Sequence, residues 1–243
     1  MPNIEIRNLL VSYDPDTKHP VIALDHFSAV FMSGKISVVL GESGCGKTTL
    51  LQTIAGLLDY DGEILVNGID YSTVPFEKRS LAYVKQDFVL YPRLTIYDNI
   101  VFPLDHKKMS RQEMDERVKT LACEFNIYHC LTRLPKHLSI GQCQRAALAK
   151  ALVRYPDVVL CDEPLSACDP ITANEIQQYL KDFVAKHGTT MVYVTHDIKH
   201  ALSFADEVFV MNKGKLLDHN TADKIKFSKN VLVQELLAKG TLS

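Results

Sequence analysis

The chain has no C-x-x-C pair among its six cysteines (45, 123, 130, 143, 161 and 168), and no histidine stands at zinc-finger spacing from any of them. Neither a disulfide framework nor a structural metal is therefore expected, and a reducing cytosol is the expected setting. Charge of one sign is lacking too. The 27 Lys and Arg against 29 Asp and Glu leave a net charge of −2, so no global field draws the chain to nucleic acid or to acidic lipid, and no nucleic-acid partner is expected. No uninterrupted apolar run approaches the ~20 residues that span a bilayer, and the opening Met1-Pro2-Asn3-Ile4-Glu5 lacks the basic and apolar regions of a signal peptide. Any membrane role is expected to be borrowed from a partner. What is present is 243 residues that are 47% hydrophobic, enough to bury the core of one large α/β domain or two coupled lobes.

Gly41 to Thr49 reads G-E-S-G-C-G-K-T-T and directly follows the apolar run Ile36-Ser37-Val38-Val39-Leu40. It fits G-x-x-x-x-G-K-[ST], the phosphate-binding loop, in the place that loop requires, between a buried strand and a helix start. Gly41, Gly44 and Gly46 allow the tight turn that brings backbone N–H groups against phosphate oxygens, and the helix N-terminus adds favourable partial charge. The whole loop, with Glu42, Ser43, Cys45 and Thr49, is read as binding a nucleoside triphosphate. Lys47 supplies a point charge for the β- and γ-phosphates, and Thr48 a hydroxyl for Mg²⁺. At a helix N-terminus the Cys45 thiol is expected to have a lowered pKa and to be blocked from alkylation by bound MgATP.

Ahead of the loop, Ile4-Glu5-Ile6-Arg7 alternates with strand period, a second strand-like run covers Val21 to Phe31, and Glu63 to Ile69 enters an Asn-Gly hairpin turn. These predict an antiparallel β layer. Tyr13 could stack on a base or could simply pack at a strand end. Ser80 to Gln86 reads as a strand, and its last residue, Gln86, could reach Mg²⁺ or the attacking water, with a solvated glutamine as the alternative. From about 95 to 155 the pattern is helical without intervening strands, Ser110 and Glu113 forming a capping box, which predicts an inserted helical lobe. Within it Leu138-Ser139-Ile140-Gly141-Gln142 opens a helix with Ser139 as N-cap, a second piece of anion-binding equipment.

Asp157 to Pro164 reads as a fully buried strand ending in two carboxylates. Asp162 is placed to hold Mg²⁺ through water, and Glu163 to orient or deprotonate the attacking water. An unperturbed glutamate pKa of about 4.3 is low for a base at neutral pH, so Glu163 needs local help or acts by positioning. Pro170 to His187 reads as a helix and Thr189 to Thr195 as a β-branched strand, whose end presents His196 either to a γ-phosphate or to solvent. A hairpin over 207–217 and a helix from about Lys229 to Lys239 complete the reading.

The ordered set Tyr13, Gly41 to Thr48, Gln86, Leu138 to Gln142, Asp162-Glu163-Pro164, Ser166-Ala167-Cys168-Asp169 and His196 resembles the nucleotide-binding subunit of ATP-binding cassette (ABC) transporters over nearly the whole chain. The resemblance implies an α/β fold: a P-loop NTPase (RecA-like) core over 1–86 and 156–243 with an N-terminal antiparallel β layer, and an inserted α-helical subdomain over 87–155, all one domain. It implies ATP and Mg²⁺ as cofactors, with Tyr13 stacking on adenine, Gln86 sensing γ-phosphate and Mg²⁺, Asp169 in a loop crossing a dimer interface, and His196 as a γ-phosphate switch. Two subunits, identical or different, are implied to close head to tail, so that Ser139, Gly141 and Gln142 of one complete the site of the other.

Ile140 departs from the usual signature glycine, and Cys143 stands where a basic or polar residue is common. A β-branched residue suits close backbone approach poorly, whereas Gly141 is retained. The resemblance further implies ATP hydrolysis driving transport, with permease subunits and, in importers, an extracytoplasmic solute-binding protein as partners, at the cytoplasmic face of the membrane. Tyr91 to Asn99 and Asp162 to Ser166 look like importers. The resemblance to sugar importers carries the expectation of a regulatory C-terminal domain that these 243 residues do not include, so anion, sulfonate and amino-acid importers are expected to be equally open. An exporter subunit is the alternative. A soluble ABC ATPase of DNA repair or ribosome work is less favoured, since there are no sustained heptads and one cassette.

Overall fold

The computed structural model describes residues 3–13, 20–85, 90–104, 108–166 and 168–241. Strands β1 (Ile4–Tyr13) and β2 (Val21–Phe31) pair antiparallel, with Ile4 opposite Phe31 and Tyr13 opposite Val21. Strand β3 (Ile36–Leu40) is buried along its whole length and leads into helix α1 (Lys47–Ala55). Strands β4 (Asp61–Val66) and β5 (Ile69–Asp70) are joined by Asn67 and Gly68, both at positive φ, the turn geometry that matches strand twist. They complete a four-stranded antiparallel sheet in the order β2-β1-β4-β5.

After β6 (Leu81–Val84) come three helices, α2 (Ile96–Val101), α3 (Arg111–Glu124) and α4 (Ile140–Leu152), with no strand among the described residues between them. Each opens on a capping box, Thr95 with Asp98, Ser110 with Glu113 and Ser139 with Gln142, which satisfies the first free N–H groups of the helix. The chain then runs through β7 (Val158–Asp162), α5 (Pro170–His187), β8 (Thr190–Thr195), α6 (Ile198–Phe204), β9 (Glu207–Asn212), β10 (Lys215–Thr221) and α7 (Val231–Thr241). The second sheet has the order β10-β9-β3-β8-β7-β6, parallel throughout except for β10 at one edge.

Its central strands are covered on both faces, so they read as continuous apolar runs, yet alternation still sorts their side chains between two cores. Val39, Val158, Leu160, Val192, Val194, Phe209 and Met211 pack towards α1 and the antiparallel sheet. Val38, Leu40, Val159, Cys161, Met191, Tyr193, Val208 and Val210 pack towards the helices on the other side. Leu50, Leu51 and Ile54 carry α1 into the first core and are fully buried, each contributing about 1.5–3 kcal/mol by leaving water. Truncating one of them, as in Leu51→Ala, would cost about 2–5 kcal/mol and loosen the helix that carries the phosphate loop. Asp162 continues the alternation of Val158 and Leu160, so its carboxylate emerges on the α1 side at the carboxyl end of the strand. That placement builds the site.

Candidate functional site

Residues 41–46 turn the chain from β3 into α1. Gly46 has φ +105°, and a Cβ there would lie 2.4 Å from the Ala23 carbonyl oxygen, so the turn admits only glycine. Lys47 is buried, and its Nζ donates to the carbonyls of Gly41 at 2.8 Å and Glu42 at 3.0 Å, which holds the cation over the loop. Thr48 Oγ1 donates to Asp162 Oδ1 at 3.0 Å. The other oxygen, Oδ2, accepts from the Tyr83 hydroxyl, also at 3.0 Å. Burial and the adjacent Asp162 charge push the Tyr83 hydroxyl well above its ordinary pKa, so it remains a donor. Tyr83 was not singled out from sequence. The available signal is strand parity: Leu81 and Tyr83 face the α1 side of β6, as Val158 and Leu160 do in β7.

Glu163, directly after β7, has φ +46°, a left-handed conformation that costs a non-glycine residue about 1–2 kcal/mol. Its N–H donates to the Val194 carbonyl at 3.1 Å, tying the strained residue to β8. Its Oε2 lies 2.9 Å from Nδ1 of His196, which follows the end of β8. Tyr13 is hydrogen-bonded through its hydroxyl to Thr49 Oγ1 at 3.1 Å, while the residue as a whole stays 40% exposed. A cleft of about 600 Å³ is lined by Tyr13, Ser43, Gly44, Gly46, Lys47, Thr48 and Thr49 together with Asp162, Glu163 and His196. Thr48 and Asp162 are hard oxygen donors that could hold a small divalent cation.

Two loop positions behave differently. Glu42 is exposed and turns outward to Lys239 Nζ of α7 at 2.7 Å, which holds its carboxyl below the ordinary carboxylate range. Cys45 overturns the expectation of a reactive thiol. It is buried in the α1-side core, and that burial pushes its pKa up, outweighing the Lys47 ammonium that pulls it down. Gln86 lies outside the described residues, as does Ala167.

A second group of residues gathers away from the cleft. Ser139 Oγ accepts from the Gln142 N–H at 3.2 Å, and Gln142 Oε1 accepts from the Ser139 N–H at 3.0 Å, so the Gln142 side chain is occupied by the cap. Asp169 caps α5 by accepting from the Ile171 N–H at 3.1 Å and the Thr172 N–H at 3.0 Å, bonds that hold its carboxyl below its ordinary range. A Cβ on Gly141 would come within 2.7 Å of Thr172 Cγ2, so the two helix starts lie side by side. Cys168 Sγ donates to Gln144 Oε1 across the same junction. Ile140 and Ile171, beside these caps, are 70% and 74% exposed. None of these residues lines the cleft.

A predominantly parallel sheet with a phosphate loop after β3, an Asp-Glu strand end beside it, a separate antiparallel sheet and inserted helices define a P-loop NTPase fold with a RecA-like core. A family model described as ABC transporter matches residues 24–166, more than half of the chain. The chain belongs to the ABC transporter family. It is 44% identical over 181 residues to the molybdate/tungstate import ATP-binding protein WtpC of Pyrococcus abyssi, covering 74% of this chain and 53% of that protein. It is 41% identical over 212 residues to the trehalose/maltose import ATP-binding protein MalK of Thermococcus litoralis, covering 84% and 57%. It is 36% identical over 225 residues to the spermidine/putrescine import ATP-binding protein PotA of Haemophilus influenzae, covering 92% and 59%. The chain thus spans a little over half the length of these relatives. The dimeric structure of MJ0796, described as a bacterial ABC transporter cassette, superposes with a TM-score of 0.79 at 29% identity, over 90% of this chain and 98% of that one. A second structure of the same cassette is a post-hydrolysis dimer bound to ADP and Pi.

Proposed function

We propose that this chain binds ATP with Mg²⁺ and hydrolyses the ATP as the energy-supplying subunit of an ABC importer. One observation carries the reading: a single cleft brings together a buried lysine, a hydroxyl–carboxylate pair and a glutamate–histidine pair. Lys47 balances charge on the β- and γ-phosphates, and Tyr13 offers its ring to the adenine. Thr48 and Asp162 fit Mg²⁺, which is usually held by one or two carboxylates, substrate phosphates and water. Among the described residues no group of three or more His, Cys, Asp or Glu could cage a metal, as a dedicated protein-only site would require. When bound, Mg²⁺ would neutralise the negative charge that develops on the phosphates. Glu163 orients the attacking water and takes its proton. Because His196 Nδ1 faces Glu163, its Nε2 is the nitrogen left for the γ-phosphate. Gln86 completes the set of groups that read γ-phosphate and Mg²⁺.

The Ser139, Gly141, Gln142 and Asp169 group serves the nucleotide of a second ABC subunit, identical or homologous, closed head to tail on this one. The MJ0796 cassettes, which are dimeric, support pairing with a second subunit. We assign 1–86 and 156–243 to the catalytic core and 87–155 to a helical subdomain within one domain. A hollow of about 460 Å³ between α2 and α3, lined by Tyr97, Val101, Met109, Ser110, Arg111 and Met114, suits a helix of the permease. Attachment at the cytoplasmic face goes through that permease; among the described residues no helix is long and apolar enough to cross a membrane. An extracytoplasmic binding protein would deliver the solute. The relatives named for molybdate/tungstate, trehalose/maltose and spermidine/putrescine have comparable identity, so the solute is chosen outside the cassette.

Glu163→Gln tests the reading. It keeps the shape and removes the carboxylate, so ATP binding persists while steady-state hydrolysis falls by about 10²–10⁴-fold. Hydrolysis at the wild-type rate would remove Glu163 from its role.

A further inference from the structure

The oxygen that Asp162 turns to a metal must be held still, yet the terminal torsion of an aspartate is broad and nearly two-fold. Here each carboxylate oxygen has its own hydroxyl donor. Thr48 approaches Oδ1 from the cleft, whereas Tyr83, which does not line the cleft, approaches Oδ2 from behind. Tyr83 instead borders a separate hollow of about 370 Å³ along β6. We propose that Tyr83 is a positioning residue of the metal site, its hydroxyl locking Asp162 so that the Thr48 side of the carboxylate is the one presented to Mg²⁺. The proposal rests on the ATP and Mg²⁺ reading above.

Packing alone does not account for the hydroxyl. The ring lies against the α1-side core, opposite Leu160 in the strand register, where a phenylalanine would bury equally well. A phenol carries a single proton, and here it is donated to Asp162 Oδ2. A group that holds a metal ligand from outside sets ligand orientation and basicity, and its loss typically costs about 10–100-fold in metal affinity.

The test uses the full chain and Mn²⁺ as a spectroscopic probe in place of Mg²⁺. Nucleotide binding is first measured with a non-hydrolysable ATP analogue in EDTA, and Mn²⁺ is then titrated into the loaded protein and followed by electron paramagnetic resonance. Tyr83→Phe should leave metal-free nucleotide binding unchanged and raise the Mn²⁺ dissociation constant by about 10–100-fold. Tyr83→Met, which fills the space with a flexible apolar side chain, should do the same. An unchanged Mn²⁺ constant in either folded variant overturns the proposal. So does loss of metal-free nucleotide binding in both, because Tyr83 would then support the fold and not the metal. A wild-type chain that binds no nucleotide at all would instead sink the underlying functional reading.

Discussion

Cys45 shows how two forces on one side chain are weighed. A helix N-terminus and the Lys47 ammonium favour its thiolate, and both act through a low-dielectric surrounding that disfavours any charge at all. Burial is the larger effect, so the thiol stays protonated above its ordinary range. Cys123, by contrast, is exposed on α3. Alkylation of the native protein at neutral pH should therefore modify Cys123 first and leave Cys45 nearly untouched, with or without MgATP, as read by peptide mass spectrometry. Rapid modification of Cys45 in the folded chain would contradict its burial. The phosphate loop itself was legible because its spacing is a backbone requirement, fixed by the turn from β3 into α1. The core position of Cys45 was not, since it depends on the antiparallel sheet folding over the loop. Tyr83 was hidden for a related reason: its partner Asp162 lies 79 residues away and is brought close only by strand register.

Among the elements, helices with polar caps were the easiest to read. Pro170 and His187 bound α5 as the sequence predicts, because Asp169 caps one end and Gly188 ends the other in a left-handed conformation. What sequence could not supply was the contact between α4 and α5. Gly141 is expected to be glycine for approach to phosphate, and the fold adds a second reason in the Thr172 methyl against it. Gly141→Ala should overpack this junction and cost about 1–3 kcal/mol in denaturant unfolding. Thr172→Ser removes the methyl while keeping a hydroxyl, so the double variant should recover more than half of that loss. A cycle in which the two changes simply add would show that the α4 and α5 starts do not press on each other.

At the scale of the whole molecule, the cleft around Lys47 and the group around Ser139 are separate in one chain. If the second group serves another subunit's nucleotide, defects in the two groups must complement. Chains carrying Lys47→Ala and chains carrying Ser139→Arg are each expected to lose hydrolysis, with ATP binding by the Ser139→Arg monomer intact. Mixing them places both defects in one composite site of some dimers and leaves the other site whole, so a fraction of the hydrolysis should return. Loss of ATP binding by the Ser139→Arg monomer would make the signature a same-chain element and remove the head-to-tail arrangement. If half of each site lies on another molecule, as proposed, no single-chain sequence reading could locate it except by resemblance.

The left-handed backbone at Glu163 has a meaning beyond its energetic cost. On an extended strand, neighbouring side chains point to opposite faces, so an aspartate and a glutamate adjacent in sequence would serve opposite surfaces of the sheet. Asp162 opens towards α1, and an extended Glu163 would turn away from it. The φ of +46° interrupts the pleat at that one bond, and both acids then line the same cleft. Two consecutive letters of the sequence thus become two tools in one workplace only because the chain stops being a strand between them.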